Sequence, residues 1–180
     1  MAGSRPANTP IPYFPTLFMI ALGFTFVWPV RASQTTPAVS LRVRTDNPIL
    51  SVLVQRGAAR SATFRNLLAR IDRTDGIVWI DEGQCGHSVR ACLVPTVKLA
   101  GPSRLLRVLI NTKGDERDVI AGIGHELQHA VEVLSERSIR SSAALQNFFD
   151  RVGPTGSGRF ETEAAVHAGL DVWTDLGRGE

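Results

Sequence analysis

The chain has 180 residues, with 20 lysines and arginines against 17 aspartates and glutamates. Two of the basic residues, Arg5 and Arg31, and none of the acidic ones lie in residues 1–32, so the chain from Ser33 onward has a net charge of only about +1. This near-balance gives no support for a nucleic-acid partner. The length from Ser33 onward suits one domain with one hydrophobic core.

An apolar segment near the N-terminus has the layout of a secretory signal peptide. Residues 17–28, LFMIALGFTFVW, carry no charge, and Val30 and Ala32 stand at the −3 and −1 positions of a small-residue cleavage site before Ser33. The alternative is an uncleaved membrane anchor, but a bilayer span takes about 20 apolar residues and residues 11–30 include three prolines. We predict a signal peptide over 1–32, a polar linker over 33–40 and a domain over 41–180, in a secreted or periplasmic protein that meets a membrane only if the leader is retained.

The first half of the domain is predicted to contain a short strand, then a helix, then three further strands. LRVRT (41–45) alternates apolar and charged residues, which predicts a short edge strand. ARSATFRNLLARID (59–72) has apolar residues at the three- and four-residue spacing of an amphipathic helix. GIVWIDEG (76–83), CLVPTVKLA (92–100) and RLLRVLINT (104–112) have the composition of strands, and the turn GPS separates the last two. These strands are predicted to form a small meander.

Three helices are expected after the strands. In KGDERDVIAGIGHELQHAVEVLSE (113–136), Asp115 can cap the amino end and apolar residues form one helical face. SSAALQNFFDRVG (141–153) is predicted to be a helix that ends at Gly153, and RFETEAAVHAGLDVWTDLG (159–177) a last helix that ends near Gly177. The order of elements predicts an α+β domain, a short mixed sheet packed on helices.

The two cysteines, Cys85 and Cys92, flank the segment GHSVRA. In an exported protein, two cysteines this close predict a local disulfide. Two buried thiols are one alternative. Zinc ligation by the pair with His87 is another, although the spacing is not that of a Cys-x-x-Cys zinc knuckle.

The segment GIGHELQHAVEVLSE (122–136) contains the pattern H-E-x-x-H at residues 125–129. On a helix, His125 and His129 lie on one face, about 6 Å apart along the axis, where they can supply two corners of a tetrahedral zinc site. Glu126 projects about 100° away and can reach a water molecule instead of the metal. In this arrangement the two histidines hold the metal and Glu126 accepts a proton, and metal-assisted hydrolysis requires both roles.

The context of the pair favours a metal site over a buried helix that contains the pattern by chance. The neighbouring residues are uncharged or apolar, as they would be on a buried helix with one stripe facing a metal. Histidines are poor core residues in such a helix, because each ring nitrogen needs a partner. We therefore predict a Zn²⁺ site.

This segment resembles the active-site helix of zincin metallopeptidases, and the resemblance covers residues 60–176. It implies a small sheet on helices, a zinc cofactor and hydrolysis of a peptide or protein substrate with Glu126 as general base. It also implies that an edge strand near RLLRVLINT pairs with the extended substrate. The alternative is a non-catalytic secreted protein of the same fold, which binds a partner and uses zinc structurally.

The zincin subfamilies differ in the third metal ligand. A metzincin pattern fails here, because Glu132 and Ser135 replace its glycine and third histidine, and no aspzincin pattern follows. The resemblance to gluzincins such as the CAAX prenyl protease family implies a glutamate from a later helix. Glu161 is favoured, with Glu163 as the alternative.

In the gluzincin pattern E-x-x-A-D, Glu161 and Ala164 match this chain, and the small Ala164 would allow close helix approach. Ala165 stands where the pattern has an aspartate that supports a ligand histidine. That support must come from elsewhere. For the oxyanion stabiliser, His167 is preferred over His87 and Arg159, because it shares the helix with the third ligand.

Overall fold

The computed structural model describes residues 40–86, 89–152 and 161–178, all of which belong to one compact unit, Thr35–Glu180. The predicted signal peptide and almost all of the predicted linker therefore lie outside the described residues. Within the described ranges, no helix combines the length and the apolar character that crossing a membrane requires.

The described residues form an α+β domain, as predicted, with helices stacked on a small mixed sheet. The elements in chain order are β1 (Val43–Arg44), α1 (Pro48–Arg60), α2 (Ala62–Asp72), β2 (Gly76–Glu82), β3 (Ala91–Leu93), β4 (Lys98–Ala100), β5 (Ser103–Ile110), α3 (Glu116–Ser135), α4 (Ser142–Val152) and α5 (Glu163–Gly177).

The sheet has the strand order β1-β2-β5-β3, and β4 also pairs with β5. The expected meander is wrong, because β2 runs parallel to both β1 and β5, with Val78 opposite Leu106. The predicted strand 92–100 is interrupted between Leu93 and Lys98, and its two pieces pair antiparallel with β5. Pro95 lies in this interruption, where it need not donate an N–H to the ladder.

Strand β5 is central, since β2 occupies one of its edges and β3 and β4 occupy the other. RLLRVLINT itself is therefore not the edge strand expected near this position, and the pairing of such a strand with a substrate stays a prediction. The strand that ends the sheet next to α3 is the three-residue β3.

Helix α1 was not predicted, although its signals are local. The Asn47 side chain accepts hydrogen bonds from the backbone N–H groups of Ile49 and Leu50, and Pro48 occupies the first turn. Its buried residues Leu50, Leu53, Val54, Gly57 and Ala58 recur at helical spacing.

Helix α3 lies at the centre of the molecule. It packs against the sheet on one side and against α5 on another, and its buried residues cover most of its circumference. A Cβ atom at Gly124 would lie only 2.8 Å from Cγ2 of Val172 on α5. The two helices therefore cross at a separation that needs a glycine.

The C-terminal end of α3 is held by Arg104, a fully buried arginine on β5. Its guanidinium donates hydrogen bonds to the Leu134 carbonyl at 2.7 Å and to the Glu136 carbonyl at 2.7 Å. It also forms an ion pair with Asp75 at 2.6 Å, and this hydrogen-bonded contact lowers the pKa of that carboxyl. A cation at this position complements the negative end of the helix dipole.

Candidate metal centre

Helix α3 presents the two histidines of the H-E-x-x-H segment on one face, as its periodicity predicts. The Asp115 side chain accepts from the Arg117 N–H and starts the helix where the sequence indicates. The His125 and His129 ring centroids are 4.9 Å apart. His129 is buried and His125 is partly exposed, so the pair opens to solvent on one side.

Glu161 completes the group. Its Oε1 lies 3.3 Å from Nε2 of His125 and 3.7 Å from Nε2 of His129. One ligand atom from each of the three residues lies within 4.8 Å of the others, so the group could hold a metal ion. Two imidazoles and one carboxylate leave a fourth position of a tetrahedron open.

Glu163, the alternative third ligand, lies elsewhere. Its side chain is 89% exposed and approaches His167 at 3.9 Å. Helix α5 begins at Glu163 with Thr162 as its N-cap, so Glu161 precedes the helix. The expectation that Glu161 projects from a helix is therefore wrong, because it is the residue just before the N-cap.

The environment of His125 favours the neutral form of its ring. Burial and the nearby His129 lower the pKa of His125, against the attraction of Glu161 and a backbone hydrogen bond with Ala165, which both raise it. Only a neutral imidazole has a lone pair for a metal. Ala165 replaces the aspartate of the gluzincin pattern, and here its backbone is the partner of the ring.

The close packing of α5 on this histidine depends on a residue other than the one expected. Ala164, which was expected to allow close approach to the metal, is exposed. The close contact comes from Gly169, where an added Cβ atom would lie 3.3 Å from Cβ of His125.

His129 has a carboxylate partner on its own helix. Its Nδ1 lies 3.2 Å from Oε2 of Glu132, three residues further along α3, and its ring and the Phe149 ring form a T-shaped pair with centroids 5.5 Å apart. Burial alone would raise the pKa of Glu132, but hydrogen bonds with His129, Gln128 and Thr162 together outweigh it and lower that pKa.

Glu126 lies beside the group formed by His125, His129 and Glu161. Its Oε2 accepts a hydrogen bond of 2.7 Å from the backbone N–H of Leu93 on β3, and its Oε1 lies 3.9 Å from Nε2 of His125. Burial raises the pKa of Glu126 to about 7, although the charge of His129 and the Leu93 hydrogen bond act in the opposite direction. Its carboxyl group can therefore exchange a proton near neutral pH.

His125, His129, Glu161 and Glu126 line one cavity of about 940 Å³. Its walls come from β3 and the preceding loop on one side and from α5 on the other. Much of this lining is apolar, and it includes Val89, Leu93, Pro95, Leu109, Phe149, Val166, Leu170 and Trp173. Among the described residues, the large hydrophobic side chains that remain exposed include Val89, Val166, Leu170 and Trp173.

The disulfide prediction is confirmed. Cys85 and Cys92 are joined with an S–S distance of 2.02 Å, which excludes both the free thiols and the zinc ligation weighed as alternatives. Both cysteines line the cavity, and Cys92 lies on β3 next to Leu93. The bridge therefore ties down the strand that contacts Glu126.

The structure does not bring His167 into the site. Its side chain is 67% exposed and it is not among the residues that line the cavity, so its expected role as oxyanion stabiliser has no support in this arrangement. The other two candidates, His87 and Arg159, lie outside the described residues.

Sequence reasoning missed three contributors to the site: Glu132, Thr162 and Leu93. Glu132 had a usable signal, because a residue three positions after His129 lies on the same helix face. Thr162 followed by Ala165 also has the spacing of an N-cap. The contact of Leu93 with Glu126 had no signal, since it joins residues 33 positions apart.

Comparison of the chain with known protein families, with curated proteins and with solved structures found no match in any of the three.

Proposed function

We propose that this chain is a zinc-dependent metallopeptidase of gluzincin type. The observation that carries the proposal is the convergence of His125, His129 and Glu161 in one cavity with Glu126. The three potential ligands come from two separate segments, and the fourth residue is a buried carboxyl group that is not needed as a ligand.

The donor set favours zinc. Two imidazole nitrogens and one carboxylate oxygen are a recurrent set for catalytic zinc, whereas calcium and magnesium are bound mainly by oxygen ligands. A zinc ion held here would supply Lewis acidity toward a substrate carbonyl and toward water. The exposure of His125 and Glu161 leaves access from the cavity for both.

Glu126 is the proposed general base. Its carboxyl group lies next to the ligand group without joining it, and its raised pKa matches a group that takes up and returns a proton near neutral pH. It would accept a proton from the attacking water and donate it to the leaving amine. The Leu93 N–H donates a hydrogen bond to Oε2 of this carboxylate, and this contact orients the side chain.

The proposed substrate is an exported or extracellular polypeptide with an apolar side chain beside the cleaved bond. Val166, Leu170 and Trp173 of α5 line the cavity at helical spacing, so they form one apolar wall. The Trp173 indole is held in place, because its Nε1 donates to Asp118 at 3.1 Å. An apolar side chain displaces water from such a wall favourably.

The test combines metal analysis with digestion. Purified protein should contain about one zinc per chain, and His125→Ala, His129→Ala and Glu161→Ala should each lose it, because three protein ligands are the catalytic minimum. Glu163→Ala is the matched control, an exposed glutamate two residues from the proposed ligand, and it should keep its zinc.

Glu126→Gln separates binding from chemistry. It should keep zinc and fold, yet lose turnover of casein and of a peptide library, because an amide cannot accept the proton. Zinc in the wild type without turnover of any polypeptide would favour the non-catalytic alternative. Undiminished turnover by Glu126→Gln would assign the activity to another site.

A further inference from the structure

Glu132 contacts both segments that carry the proposed metal ligands. It lies on α3, and its Oε2 is 3.2 Å from Nδ1 of His129. Its Oε1 accepts a hydrogen bond of 2.8 Å from the Thr162 hydroxyl, in the residue that follows Glu161. One carboxylate therefore bridges the helix of the two histidines and the start of α5.

The contact with His129 selects a tautomer. An ionised carboxylate can only accept hydrogen bonds, so the Nδ1 that faces Glu132 must carry the proton. The lone pair is then on Nε2, the nitrogen that faces Glu161 at 3.7 Å. A hydrogen bond of this kind orients a ligand ring and makes it more basic.

The contact with Thr162 places the third ligand. Thr162 is the N-cap of α5, and its hydroxyl oxygen also accepts from the Ala165 N–H at 3.2 Å. The same hydroxyl thus donates to Glu132 and caps the helix. Because Glu161 is the preceding residue, this tie limits how far its carboxylate can move from the histidines.

A further pair of side chains holds the Glu132 carboxylate itself. Gln128 donates to its Oε1 at 3.0 Å, and the amide oxygen of Gln128 accepts from Arg70 on α2 at 3.0 Å. The Arg70 bond determines which end of the amide faces Glu132. The hydrogen bonds therefore run in one direction, from Arg70 to Gln128 and from Gln128 to Glu132.

We propose that Glu132 is a positioning residue, which orients His129 for metal binding and holds Glu161 beside it through Thr162. The inference rests on the proposed metal site but not on the proposed peptidase activity. It requires only that the three ligands bind a divalent cation.

The test measures zinc affinity by competition with a chromophoric chelator. Glu132→Ala should bind zinc about 10- to 100-fold more weakly than the wild type, the usual loss for such a partner. Glu132→Gln, nearly the same shape without the charge, should lie between the two. Thr162→Val, which removes only the tie to Glu161, should lose less than Glu132→Ala. Glu163→Gln, which alters an exposed glutamate, is the control and should not change the zinc affinity.

A second readout separates positioning from stability. Nitrogen-15 NMR of the metal-free wild type should show His129 protonated on Nδ1, and Glu132→Gln should shift that ring toward the Nε2-protonated tautomer. Circular dichroism of each variant reports folding. Unchanged zinc affinity and an unchanged tautomer in folded Glu132→Gln and Glu132→Ala would overturn the inference.

The outcomes for the two proposals are distinguishable. Zinc binding by the wild type without peptide hydrolysis would refute the peptidase but leave the affinity loss in Glu132→Ala as support for its positioning role. A wild type that binds no divalent cation would overturn both.

Discussion

Replacing the buried Arg104 with methionine should strongly destabilise the domain, because the guanidinium closes the carboxyl end of the helix that carries the histidines. Its side chain is fully buried, whereas the side chain of its partner, Asp75, is 36% exposed. Besides that ion pair, Arg104 donates to the carbonyls of Val133, Leu134, Glu136 and Ile139. Methionine keeps the unbranched stem and removes every one of these donors.

The expected loss follows from these contacts. Removing one partner of a buried ion pair costs about 3–5 kcal/mol, and each buried carbonyl left without a donor costs about 1–3 kcal/mol. Three facts reduce the sum: Asp75 can be rehydrated, the Val133 carbonyl keeps the Glu136 N–H at 3.3 Å, and the Glu136 carbonyl keeps the Ile139 N–H at 3.1 Å. We therefore expect a loss of about 4 kcal/mol, which for a domain of this size lowers Tm by roughly 10–15 °C.

Urea unfolding followed by circular dichroism, with the disulfide intact, would measure the change. Arg107→Met is the matched control: Arg107 lies on the same strand and pairs with Asp81 at 2.6 Å, but its side chain is 57% exposed. An exposed pair of this kind is worth less than about 1 kcal/mol. Equal losses in the two variants would refute the view that Arg104 holds the end of α3.

Three further predictions concern other features of the fold. The lowered pKa of Asp75 stabilises the folded state at pH values above the ordinary carboxyl pKa of 3.8. The difference in free energy of unfolding between wild type and Asp75→Asn, measured in urea, should therefore be constant above about pH 5. It should shrink as pH falls through the folded-state pKa of Asp75. Gly169→Ala would place a Cβ atom 3.3 Å from Cβ of His125, so it should weaken zinc binding about tenfold in a chelator competition. Gly122→Ala is the control and should leave zinc binding unchanged, because its Cβ atom would meet only an alanine at 3.5 Å. Cys85→Ser should lower the free energy of unfolding by about 2–3 kcal/mol, the loop-closure value for a bridge of this span, and equal urea midpoints for wild type and variant would contradict it.

Several features of the domain were readable from local sequence because their causes are local. The cap at Asp115 and the apolar periodicity after it determine where α3 begins and which face is buried. The four-residue spacing of His125 and His129 then places both rings on one side of the helix. The disulfide was predictable because its cysteines are only seven positions apart. Each of these inferences needs no knowledge of distant segments.

Strand pairing was decided by the tertiary structure. Composition identifies β2 and β5 as strands, but it does not state that they run side by side in parallel. The strands between them in sequence, β3 and β4, pair with one edge of β5, and this leaves the other edge of β5 for β2. Strand pairing depends on which apolar faces meet across the chain, and this is a property of the whole core.

The residues of the candidate site were likewise determined partly by the sequence and partly by the tertiary structure. The sequence determined two histidines and a neighbouring glutamate, and it left two candidates for the third ligand. Only the folded chain separates Glu161 from Glu163, because α5 begins between them and turns the second carboxylate toward solvent. The bridge from Glu132 to Thr162 spans 30 positions. No local pattern encodes that distance, since it depends on how closely α5 packs on α3.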